Sequence, residues 1–195
     1  MFPFQRPHRD TMYKPLIFLL LTAVLSTACS GPGIERHADR KPKFVAEEFF
    51  SGPMMAYGIV KDRGGNVTRK FVAELNGSWE NGRGLLREKF EFDDGEIQYR
   101  NWQLAPLSSS AAAQGYRQYS ATAEDVVGTS TMSVVGDAVF MEYVLQVPFR
   151  GRTLDISVDD QMILVAPHIL IAESDLSKWG FNVGEIQLTI IKQPD

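Results

Sequence analysis

Residues 86–104 read LREKFEFDDGEIQYRNWQL, two alternating runs separated by Asp93-Asp94-Gly95. Alternation with a period of two belongs to a β-strand with one buried face, and Asp-Gly between two such runs marks a hairpin. The register can be argued from the side chains. A two-residue loop at Asp94-Gly95 would set Phe90 opposite Tyr99 and Arg87 opposite Trp102, mixing apolar and polar residues on each face. A three-residue loop, a type I turn closed by Gly95 in the left-handed region, sets Phe90 opposite Gln98, Glu88 opposite Arg100 and Leu86 opposite Trp102. One face then carries Leu86, Glu88, Phe90, Phe92, Arg100, Trp102 and Leu104. The other carries Arg87, Lys89, Glu91, Tyr99, Asn101 and Gln103. A one-residue slip would exchange the two faces, so the three-residue loop is the expected one.

The same punctuated alternation runs along most of the chain. Strands are expected at 54–62, 67–76, 83–92, 96–105, 115–124, 128–135, 138–147, 153–159, 161–166, 168–173 and 184–192. Between them fall turn signals such as Arg63-Gly64-Gly65-Asn66, Asn81-Gly82, Gly136-Asp137 and Arg150-Gly151. The connections are too short for crossover helices, so the strands should pair antiparallel. The expected fold is all-β, an antiparallel meander closing into a lipocalin-like barrel, which removes the exposed edges. A two-sheet β-sandwich is the alternative. One short helix is expected near 44–50, in FVAEEFF ahead of Ser51-Gly52.

Upstream, PLIFLLLTAVLSTACSG spans residues 15–31 and holds the chain's only cysteine. The apolar run is shorter than the ~20 residues that span a bilayer. With Lys14 before it and small residues after it, residues 1–28 read as a signal peptide. Leu25-Ser26-Thr27-Ala28 before Cys29 resembles the bacterial lipobox. Cys29 is accordingly the expected lipid attachment site, carrying palmitate-type acyl chains. Several such chains anchor firmly where one binds only marginally. Ser30 after the cysteine resembles outer-membrane sorting. Residues 29–43, polar and Pro/Gly-bearing, read as a lipidated tether, and 44–195 as a single antiparallel β domain.

Removing residues 1–28 takes away Arg6, Arg9, Lys14 and Asp10, leaving a net charge of −6 from the −4 of the whole chain. An acidic chain without Lys/Arg clusters is a poor fit to nucleic acid. No GxSxG, HExxH or phosphate loop occurs. Asp159-Asp160 could ligate a cation only from a turn or strand end, since adjacent carboxylates on a strand point to opposite sides. No catalytic residue, metal site or cofactor is expected.

What remains is the Glu88–Arg100 pair beside Trp102 on the apolar face. Burying two charges costs several kcal/mol per ion, only partly recovered by good pairing. The pair therefore reads either as a structural ion pair fixing register or as a polar anchor inside a ligand cavity.

The segments FFSG (49–52), GIVKDRGG (58–65), LREKFEFDDGEIQYRNW (86–102), EDVVG (124–128), GDA (136–138), DDQM (159–162) and KWGFNVGEIQLT (178–189) together resemble domain of unknown function 3833, a family of bacterial envelope lipoproteins. The likeness covers residues 44–192. One departure is Gln161, where the family pattern often has an aromatic residue. The resemblance implies an envelope location and this fold, and no activity. The first functional reading is a non-enzymatic outer-membrane lipoprotein, its domain facing the periplasm, that binds or shields an apolar or amphipathic molecule. Its partners would be the membrane, through the N-terminal lipid, and a small hydrophobic ligand. The second is an envelope assembly or interaction protein with a filled barrel. The third is a hydrolase or isomerase using Glu88 as acid or base.

Overall fold

The structure is a computed structural model and describes residues 33–108 and 116–194. Backbone contacts divide the chain into Met1–Gly33 and Ile34–Asp195. The expected signal peptide and Cys29 lie outside the described residues, as do most of the Ser/Ala-rich residues 108–113.

Ten strands form one closed antiparallel barrel. In chain order they are β1 (Gly52–Asp62), β2 (Val67–Glu80), β3 (Arg83–Phe92), β4 (Ile97–Pro106), β5 (Arg117–Thr122), β6 (Ser130–Val135), β7 (Ala138–Phe149), β8 (Arg152–Ala166), β9 (Ile169–Lys178) and β10 (Phe181–Lys192). Each strand pairs with its sequence neighbours, and β1 closes the ring against β10. The barrel is the expected fold; the sandwich is not formed.

The β3–β4 hairpin has the argued register, with Glu88 opposite Arg100 and Leu86 opposite Trp102. Phe92 N–H donates to the Glu96 carbonyl at 3.0 Å, and Gly95, at φ 85°, donates to the Phe92 carbonyl at 2.9 Å. Gly95 supplies the left-handed residue that a three-residue loop needs.

One expectation fails instructively. The strands expected at 153–159 and 161–166 are a single strand, β8, so the barrel has ten strands and not eleven. Asp159 and Asp160 therefore sit mid-strand, Asp159 facing out and Asp160 buried inward. Two adjacent acids had suggested a break. The alternation of Leu154, Ile156, Val158, Asp160, Met162 and Leu164 continues straight through them.

The short helix is present as α1 (Ala46–Phe49). It packs across one end of the barrel through Phe44, Phe49 and Phe50, whose rings lie 5.4–5.5 Å apart. Several bonds pin it there. Trp79 Nε1–H donates to the Phe50 carbonyl at 2.7 Å, Tyr119 OH to Glu47 Oε1 at 2.6 Å, and Lys192 Nζ to the Glu48 carbonyl at 3.0 Å and to that of Ser51. Gly77 lets the chain pass this closely, since a Cβ there would stand 2.0 Å from the Phe50 carbonyl oxygen. Residues 34–43, read as tether, are docked on the barrel. Ile34–His37 form a 3-10 turn, and the buried His37 Nδ1 lies 2.7 Å from Asp137 Oδ1. The compact unit thus begins at Ile34 and not at Phe44.

Candidate functional site

Side chains pointing inward from a ten-strand barrel must either fill it or leave a space, and here the inward set is uneven. Ala56, Ala73 and Ala172 are small, while Phe71, Phe90, Trp102 and Tyr143 are large. The interior holds a cavity of about 560 Å³ that runs from Phe50 beneath α1 to Lys61, Asp62 and Phe149 near the β1–β2 and β7–β8 turns. That volume lies within the ~300–1,000 Å³ of ordinary small-molecule sites. Its walls are mainly apolar, among them Leu75, Leu86, Met141, Leu145, Ile156 and Ile186.

Glu88, Arg100 and Trp102 all line this cavity. Cross-strand pairing places them side by side, as the sequence indicates. The expected ion pair is loose, however: Arg100 Nη1 stands 3.9 Å from Glu88 Oε2, beyond hydrogen-bonding reach. The guanidinium is held instead by Asp125. Its Nε donates to Oδ2 at 2.9 Å and to Oδ1 at 3.0 Å, and Nη2 donates to Oδ2 at 2.8 Å. Such a fork matches the planar geometry that a guanidinium favours.

Asp125 reaches Arg100 because β5 and β6 are shorter than their neighbours. The 123–129 loop lies along the upper part of β7, with Val127 N–H donating to the Val144 carbonyl at 2.9 Å and Gln146 N–H to the Asp125 carbonyl at 2.8 Å. Glu124 anchors the same loop to β4 by accepting from Asn101 N–H and Nδ2–H at 3.1 Å each.

Three more polar groups enter the cavity wall. Asp160, on β8, accepts from Ser174 Oγ–H at 2.9 Å. Tyr143, on β7, meets the Trp102 ring edge-on at a centroid distance of 5.3 Å. In the closed strand order β3 and β8 are five places apart in either direction, so Glu88 and Asp160 stand on opposite walls of the cavity.

Burial pushes the Glu88 carboxyl up to about 7, against the pull of Arg100 and Trp102; the nearby acids Asp125 and Asp160 add to the rise. Burial likewise pushes Asp160 up to about 6, opposed by its bond from Ser174. Tyr143 is raised by burial first and then by Asp160. Burial disfavours the charge on Arg100, yet its bonds to Asp125 and the charge of Glu88 outweigh this and raise it. Among the described residues, no group of three or more His, Cys, Asp and Glu is placed to hold a metal ion.

The sequence reading missed Asp125, Tyr143 and Ser174, and weighed Asp160 only beside Asp159, as a cation ligand at a turn or strand end. For Asp160 the signal was available, as a single acid interrupting an apolar inward stripe, the same pattern that singled out Glu88. For Asp125 there was none, because it acts from a loop.

The phycobiliprotein lyase CPES of S type from Guillardia theta has a similar barrel, at a TM-score of 0.55 and 9% identity, over 78% of this chain and 94% of that one. A second barrel, EF1p2_mFAP2b bound to DFHBI, aligns at a TM-score of 0.41 and 9% identity over 76% of this chain and 97% of its own. The first similarity concerns the fold alone. No curated protein matches the chain in sequence. The family model described as Protein of unknown function (DUF3833) matches residues 23–192.

Proposed function

Because the chain belongs to this DUF3833 family, whose description names no activity, we propose from the site itself that the barrel binds one small amphipathic molecule. The observation that carries this is the cavity of about 560 Å³, apolar along its walls and polar at Glu88, Arg100, Tyr143 and Asp160. A barrel whose task was purely structural would gain stability from filling that space, since each cavity left in a core costs transfer and packing energy. Retaining a buried carboxyl with no cation in hydrogen-bonding reach among the described residues costs more again. Both costs are recovered when a ligand occupies the space.

The protein is proposed to act without catalysis, as an outer-membrane lipoprotein anchored through Cys29 with the barrel in the periplasm. The lipobox-like residues before Cys29 and the family resemblance support that placement. The packed-barrel alternative, an assembly protein, fits the open interior less well.

Native mass spectrometry of the barrel, isolated gently from its own cells, tests the binding role. The expected spectrum shows an adduct of small-molecule mass that disappears on denaturation. A bare protein that also takes up no added amphiphile overturns the proposal.

A further inference from the structure

Consider the charges that face the cavity. Arg100 is neutralised by the fork to Asp125. Arg69 is held by Asp94 at 2.7 Å and Glu96 at 2.8 Å, and lies over the Phe92 ring at 3.7 Å. Lys61 donates to Gln187 at 2.7 Å and to Glu185 at 3.4 Å. Asp62, at the rim, is tied to the backbone N–H of Gly64 and Asn66. Among the described residues every cation on the wall thus has an acid partner, and the deep wall keeps two carboxyls in excess, Glu88 and Asp160. Glu88 is nine-tenths buried with its nearest guanidinium nitrogen at 3.9 Å. The rings of Trp102 and Tyr143, packed edge-on to one another, line the same cavity, with the Arg100 guanidinium 5.9 Å from the Trp102 ring.

A surplus of buried carboxyl charge beside aromatic rings selects one kind of head group. An anionic head, such as a fatty carboxylate, would add a further negative charge to the two in excess. A neutral head would bring no compensating charge. An ammonium supplies the missing charge, and aromatic ring faces attract a desolvated cation. Building on the binding role proposed above, we infer that the ligand is an amphipathic cation, an amine or quaternary ammonium whose charged head lies between Glu88 and Asp160 and whose apolar tail fills the rest of the barrel. The raised carboxyls fit this. Without ligand Glu88 sheds much of its buried charge by holding a proton more tightly, Asp160 less so, and an arriving ammonium displaces that proton.

Isothermal titration of the native protein at about pH 7 with dodecyltrimethylammonium, dodecanol and dodecanoate, each below its micelle concentration, tests the inference. The ammonium should bind at least about tenfold more tightly than the carboxylate of equal chain length. Its binding heat should depend on the buffer, because a proton is released, chiefly from Glu88. Glu88→Gln should lower ammonium affinity and leave dodecanol unchanged, with the fold checked by circular dichroism. The ranking on the native protein stands as a test whatever the variant does. Dodecanoate binding as tightly as the ammonium overturns the cationic assignment while leaving the cavity reading intact. A native protein that binds none of the three overturns the cavity reading as well.

Discussion

Replacing Glu88 by Gln should stabilise the protein at alkaline pH and do almost nothing in acid. The carboxyl titrates near 4.5 when exposed and at about 7 in the folded barrel, chiefly because it is buried. A folded pKa above the unfolded one means the native state binds the proton more tightly. The stability from Glu88 is therefore fully present below about pH 4.5 and is lost as pH rises through about 7. The gap corresponds to about 3 kcal/mol. Glutamine keeps the shape and hydrogen-bonding capacity without ionising, so it escapes that loss. Urea unfolding of both proteins at about pH 4 and about pH 8 isolates the effect, since all other titrating groups are common to the pair. The variant should match the parent at the lower pH and exceed it by about 3 kcal/mol at the higher. An equal difference at both values, or a Glu88→Gln protein less stable than the parent at about pH 8, would refute the reasoning.

Arg100→Ala should cost about 3–5 kcal/mol in the same unfolding assay, because it strands Asp125 and removes a buried guanidinium. Asp125→Asn, at a more exposed position, should cost less, about 1–3 kcal/mol, and a double-mutant cycle should assign the coupling to Arg100–Asp125 and little to Arg100–Glu88. Gly77→Ala forces a methyl onto the Phe50 carbonyl oxygen; it should cost about 1–3 kcal/mol and shift the fluorescence of Trp79, whose indole bonds that oxygen. Cys29→Ser should move the protein out of the membrane fraction or leave it uncleaved, and acyl labelling that persists in this variant would contradict the anchor.

The hairpin at 86–104 was legible because one face had to be apolar, and only one loop length kept the faces apart. The barrel followed from the number of strands and the shortness of the connections between them. The true partner of Arg100 was hidden because sequence alternation reports faces within strands, whereas Asp125 arrives from the loop that fills the gap beside two short ones. Asp160 was hidden for another reason: two adjacent acids look like a turn until the apolar stripe is followed past them. The docking of residues 34–43 rests on the buried His37, which meets Asp137, across 100 residues of sequence, and the edge of Phe140. Nothing in a polar, Pro-bearing segment announces such a contact.

The central claim is that the barrel holds an accessible apolar cavity that takes one molecule. Titration of the purified domain with a neutral naphthylamine dye, whose emission rises in apolar surroundings, tests it directly. The account predicts saturable one-to-one binding that is lost when Ala172, in the cavity wall, is replaced by Phe with the β-spectrum unchanged. A folded parent protein that gives no saturable signal would contradict it.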